Sequence, residues 1–243
     1  MYKILFVSAL SWEVKPIKEQ IKIFNIPNLK VDFLSTWIWN YNTILHLTKY
    51  LSDKDYDFLV NIWSCWYNNL DKNIYQVWRV INIQNDKELL VPINVKVFDL
   101  ATCYCFEKPV DKFDKQFCII DMESYGFEMV ANSFSLPRFI LKIPVDNIWK
   151  KFDKNLFLKK IANIDFKKVL ESILLCLQTI PEKQNLDKYI NHFNFTFSQK
   201  YIFISLYNKY IALKNNDFES FFQENKEFTR KHFLKKLERY LTV

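Results

Sequence analysis

One glycine in 243 residues leaves this chain almost no position where it can turn through left-handed backbone or bring bare main chain against a ligand. Average usage is about 7 % glycine, roughly 17 residues for a chain of this size. The same sequence holds 7 tryptophans, and they stand where turns belong. Trp37 and Trp39, in STWIWNYNT, directly follow the mostly apolar run 31–34; Trp63 and Trp66, in VNIWSCWYNN, directly follow 58–60. Read as glycine, these stretches become S-T-G-I-G-N and N-I-G-S-C-G, two glycine turns at the ends of two strands. At such turns α/β proteins bring backbone amides close to a ligand. Two explanations compete. A gene that writes glycine as UGA, as some bacterial lineages do, produces this pattern when UGA is translated as tryptophan. Otherwise the indoles are real and fill the turns.

At 29.5 kDa and 50 % hydrophobic residues, the chain can bury a full core in one domain with an appendage. The aromatic share of 18 % accompanies many Ile, Asn, Lys and Tyr residues. That is the mark of AT-rich coding, and it carries no functional weight. No apolar run reaches the ~18 residues of a membrane span, so no membrane partner is expected. The opening MYKILFVSAL reads as a first strand, because it lacks the long apolar core and cleavage site of a signal peptide. Five cysteines without framework spacing point to a reducing cytoplasm. The net charge of +7 is diffuse. Residues 181–243 hold 11 basic and 7 acidic residues and so carry +4 of it. A solvated face on an amphipathic helix accounts for Arg230, Lys231 and Lys235–Lys236 better than nucleic-acid binding does.

Residues 1–180 alternate strands and helices. Strands are predicted at 3–8, 31–36, 58–63, 76–84, 89–102, 117–121 and 138–145, and helices at 13–24, 42–52, 124–134 and 155–179. This order predicts a three-layer α/β/α sandwich with a mixed central sheet. The stretch 76–102 reads as a hairpin turning at Gln84–Asn85–Asp86. PEKQNL, residues 181–186, is a polar break. Beyond it, 187–243 reads as a helical extension of two or three helices, one of them capped by Thr196 or Ser198.

Four islands then line up in order: ILFVSALSWEV (4–14), STWIWN with VNIWSCW, IIDMESYGFEMVA (119–131) and PRFILKIPVDNIW (137–149). Together they resemble the nucleoside phosphorylase and nucleosidase superfamily, nearest to the methylthioadenosine/adenosylhomocysteine nucleosidases and futalosine hydrolases. The D-M-E between a strand and a small-residue helix is the most specific element. The resemblance spans about 1–180 and none of the tail. Trp37, Trp39, Trp63 and Trp66 fall on its glycine positions, as do Trp78 and Trp149, with Trp12 left undecided.

The resemblance implies hydrolytic cleavage of the N-glycosidic bond of a purine nucleoside, with no metal, no cofactor and a homodimer. Glu13 aligns with the carboxylate that takes a proton from the attacking water. The plainer reading of Glu13 is an acid favouring the helix dipole, worth ~0.3–1 kcal/mol. Glu123 aligns with the residue that grips the ribose hydroxyls, and Met122 with the one packed on the sugar; Glu123 alone would read as a solvated acid at a helix start. Asp121 reads as a helix cap. Asp146 aligns with the acid that protonates the purine ring, against an Asp that only turns the chain. Asn147 is placed to hold that carboxyl or the exocyclic group of the base. Phe106 aligns with the aromatic that stacks on the base, although a chain with 23 Phe offers many core alternatives. Ser64 and Cys65 would line the pocket. Cys103 and Cys105 form a C-x-C with no histidine near it, which is poor zinc spacing, and read as inert thiols. His46, His192 and His232 are isolated and support no triad. Phosphorolysis is the alternative reaction, and no arginine pair marks a phosphate site. If the indoles are real, the alternative is a catalytically degenerate scaffold or binding protein.

Overall fold

The computed structural model of the chain describes all residues except 25, 69–71, 94, 110–117, 148–152, 180–185, 214–217 and 242–243. It comprises two compact units, Met1–Leu177 and Gln178–Val243. In order, the first unit holds β1 (Tyr2–Ser8), α1 (Ser11–Ile23), β2 (Leu29–Ser35), α2 (Asn40–Ser52), β3 (Phe58–Asn68), β4 (Tyr75–Asn82) and β5 (Lys87–Leu90). It continues with β6 (Leu100–Cys105), β7 (Cys118–Asp121), α3 (Ser124–Ser133), β8 (Arg138–Asn147), α4 (Lys154–Ala162) and α5 (Phe166–Thr179).

The eight strands form one mixed sheet. β1 pairs parallel with β2 and β3, as helical crossovers require. β3 pairs parallel with β8 and, through its far end, antiparallel with β7. β4 joins β8 antiparallel and β6 parallel, and β6 joins β7 parallel. Strands β3, β8, β4, β6 and β7 therefore close a ring, and this brings the ends of β3 and β7 together.

Period-two alternation sorts the side chains of the sheet into two cores. Leu5, Val7 and Leu59 pack with Leu47 and Leu51 of α2 and Phe127 and Val130 of α3. Ile4, Phe6, Phe58 and Val60 pack with Ile17 of α1, Phe157 of α4 and Val169 and Ile173 of α5. The three-layer α/β/α arrangement follows directly. Central strands buried on both faces read as unbroken apolar runs, as 4–7 and 58–60 do.

Two expected elements divide. The strand expected over 89–102 is β5, antiparallel to β4 after the turn at Gln84–Asp86, followed by β6, which is parallel to β4. Pro92, just after β5, has no N–H to continue the ladder. The helix expected over 155–179 is α4 and α5. Asp153 caps α4 by accepting from Asn155 N–H at 2.9 Å and Leu156 N–H at 3.1 Å. Asp165 then accepts from Lys168 N–H at 3.0 Å and starts α5. Short carboxylates bind their own backbone and so punctuate helices.

Among its described residues the second unit contains four helices, one or two more than expected: α6 (Leu186–Phe193), α7 (Phe197–Leu213), α8 (Phe218–Asn225) and α9 (Arg230–Leu241). Asn194, at φ 47°, turns the chain before α7. Thr196 accepts from Gln199 N–H at 3.4 Å and donates its own N–H to Gln199 Oε1 at 3.2 Å, a reciprocal cap. The core of this unit is aromatic: Tyr189, Phe203, Phe218 and Phe233 are fully buried. Among the described residues no helix is long and apolar enough to cross a membrane.

Candidate active site

A cavity of about 220 Å³ opens where β3 and β7 end and α1 begins. The carboxyl ends of strands are where open α/β sheets bind ligands. Glu13, Ser64, Cys65, Met122 and Glu123 all line it. They come from three separate places, α1, β3 and the junction of β7 with α3, so the fold converges here.

Glu13 stands in the first turn of α1 and is buried. Its Oε2 accepts from Leu10 N–H at 3.1 Å. Its Oε1 accepts from the Ser64 hydroxyl at 2.7 Å and from Ser64 N–H at 3.3 Å. Burial pushes the Glu13 carboxyl above its ordinary value, and the Ser64 and Leu10 donors and the Lys142 charge offset only part of that.

Glu123 is the N-cap residue of α3, directly after β7. Its Oε1 accepts from Trp39 N–H at 3.0 Å and its Oε2 from Met122 N–H at 3.3 Å. Burial first, and the neighbouring Asp121 charge second, raise its carboxyl to about 8.

Asp121 ends β7. It accepts from Ser124 N–H at 3.0 Å, which is the expected helix-capping contact. It also accepts from Trp63 Nε1 and from the Cys103 thiol, each at 3.3 Å. Lys142 Nζ lies 2.7 Å from Asp121 Oδ2, and both side chains are fully buried. Burial alone would raise the Asp121 carboxyl, but the Lys142 ammonium outweighs it and holds the group below the ordinary range. The site thus keeps one carboxylate charged and pushes two toward their protonated forms. Lys142 carries no part in the sequence reading. Its one signal is a lysine alone in the apolar run 139–145. Cys103 and Cys105 are buried, and burial pushes both thiols well above their ordinary value, which disfavours the reactive thiolate.

Phe106 is half-buried just after β6. Its N–H donates to the Asp121 carbonyl at 2.8 Å, but its ring is not part of the cavity lining. Asp146 and Asn147 end β8 in register with Trp66 and Tyr67. Their side chains, and all of Trp149, lie outside the described residues. Among the described residues no group of three or more His, Cys, Asp or Glu is placed to hold a metal ion.

The tryptophans crowd this region. Trp37 (φ 68°) and Trp39 (φ 93°) form the turn between β2 and α2. Trp63 is 1 % exposed, with its indole 3.9 Å from Lys142 Nζ. Trp12, Trp63 and Trp66 all line the cavity.

No protein-family model and no curated protein sequence matches the chain. Solved structures do match. The nucleosidase (MTAN) of Chlamydia trachomatis aligns at TM-score 0.52 and 20 % identity over 74 % of this chain and 100 % of its own. The 5'-methylthioadenosine/S-adenosylhomocysteine nucleosidase of Helicobacter pylori aligns at 0.59 and 13 %, over 72 % and 99 %. The 5'-methylthioadenosine nucleosidase of Arabidopsis thaliana aligns at 0.56 and 12 %, over 77 % and 98 %. The chain carries the fold of these enzymes.

Proposed function

We propose that this chain hydrolyses the N-glycosidic bond of a purine nucleoside or nucleoside derivative, acting as a homodimer. The supporting observation is the meeting of Glu13 and Glu123, both buried, at one cavity beyond the strand ends, with the Ser64 hydroxyl donating to Glu13. A Chlamydia trachomatis nucleosidase of the same fold has been solved with MTA bound.

In this reading, ionised Glu13 accepts a proton from the water that attacks the sugar carbon bearing the base. Ser64 fixes the carboxylate oxygen that receives it. Glu123 takes the ribose hydroxyls, and Met122 packs on the sugar. Asp146 gives a proton to the purine ring so that the base leaves neutral, with Asn147 holding that carboxyl or the base. Phe106 stacks on the base, and Cys65 lines the pocket. Bond breaking builds positive charge on the ribose, as in other glycoside cleavages, and Glu123 lowers that barrier in its ionised form. Water is preferred to phosphate because no arginine pair accompanies the two glutamates.

The experiment is release of adenine from methylthioadenosine or S-adenosylhomocysteine by the chain carrying glycine at 37, 39, 63 and 66. Glu13→Gln and Asp146→Asn should each lower kcat by about 100-fold or more, the scale of general acid–base catalysis. Unchanged turnover in both variants removes these roles.

One observation favours a second reading, a binding protein without turnover. With the Trp63 and Trp66 indoles on its wall, the cavity of about 220 Å³ is smaller than the roughly 300–1,000 Å³ of most small-molecule sites. Equal adenine release with and without the indoles would reject that reading, and no release from either would favour it.

A further inference from the structure

We infer that positions 37, 39, 63 and 78 are glycine in the chain its source cells make, encoded by UGA read as glycine. Three separate features of the backbone and packing carry this.

The first is the turn between β2 and α2. Trp37 and Trp39 have φ of 68° and 93°. The other described residues at positive φ are Asn28, Asp86, Ser135 and Asn194. These are short polar side chains, most of them of the kind that visits left-handed backbone, whereas a bulky side chain there is strained. Two tryptophans in one four-residue turn have no such excuse.

The second is strand register. β3 and β8 change register between Cys65 and Trp66, where Val145 of β8 is the extra residue, so the bulge lies opposite Trp66 and not at it. β4 shifts against β6 between Val77 and Arg79, which leaves Trp78 as the extra residue. Glycine inside a strand marks such bulges.

The third is an orphaned amide. Asn61 is fully buried in β3, and neither its Oδ1 nor its Nδ2 has a hydrogen-bond partner among the described residues. Trp63 follows on the same face, against Asp121 and Lys142. A hydrogen in place of that indole opens a polar space where water can bridge the amide, the carboxylate and the ammonium.

Trp12 shows the contrast. Its backbone is helical and its ring lies edge-on to Phe157 at 5.2 Å, so nothing there requires glycine.

The inference stands on backbone geometry and packing, independently of any activity. Its consequence, a cavity that admits a nucleoside, rests on the hydrolase reading. The test is peptide mass mapping of the protein purified from its source cells, alongside the four codons in its gene. Glycine masses at 37, 39, 63 and 78, over UGA codons, are expected. Tryptophan masses at these positions overturn the inference whatever the turnover. Glycine masses in a protein that releases no base uphold it and remove the hydrolase reading instead.

Discussion

At the scale of single residues, burial does most of the electrostatic work. Glu123 sits beside a carboxylate that Lys142 keeps charged, so the second carboxyl retains its proton. The unfolded chain loses this proton near the ordinary value of 4.5, while the folded chain keeps it to about 8. Between those values the native state binds the extra proton, so stability falls as pH rises. The contribution of Glu123 is complete below the unfolded value and is lost as pH passes through the folded one. Thermal midpoints of the parent and Glu123→Gln across this window should show a fall in the parent that the variant flattens; parallel curves would refute it. The turn at 37 gives a second prediction. Trp37→Gly and Trp37→Ala both remove the exposed indole, but only glycine relaxes φ 68°. The glycine variant should be the more stable by about 1 kcal/mol, as read from denaturant melts. Glu13 and Glu123 were legible because each sits in a short island next to a strand. The Lys142–Asp121 pair was not, because 21 residues separate its members and only the sheet ring brings them together.

At the scale of elements, α2 and α3 are locked by one side chain and one glycine. Asn40 Oδ1 accepts from Gly126 N–H at 2.6 Å, and Asn40 Nδ2 donates to Glu107 Oε1 at 2.9 Å. A Cβ added at Gly126 would stand 2.6 Å from the Asn40 carbonyl oxygen. The contact is with backbone, so a helix must move. Gly126→Ala should destabilise the fold by about 1–3 kcal/mol, the usual cost of overpacking, seen as a lower thermal midpoint. A midpoint equal to the parent's would show that the helices separate freely. Element types were readable from periodicity, since apolar faces at helical and strand spacing must be buried. Element limits were less so. The division of 155–179 depends on Asn163 and Asp165, and a period-3.6 pattern runs through both without a visible break.

At the scale of the whole molecule, the solved nucleosidases leave about a quarter of this chain unmatched. The second unit has its own aromatic core. A fragment of residues 1–179 should therefore unfold cooperatively, keep base release by the glycine-bearing form and keep the full chain's oligomeric state in light scattering. Loss of cooperative unfolding would make the two units one folding body. The sequence by itself determined the α/β order, the helical tail, both glutamates and the misfit of tryptophan at strand ends, because these are local: periodicity, propensity and short motifs act within a few residues. Only the tertiary structure decided that β3, β8, β4, β6 and β7 close into a ring, that Lys142 holds Asp121 charged and that the Asn61 side chain is left without a hydrogen-bond partner among the described residues. Those outcomes depend on strand pairing between distant segments, and on how much water the resulting packing excludes.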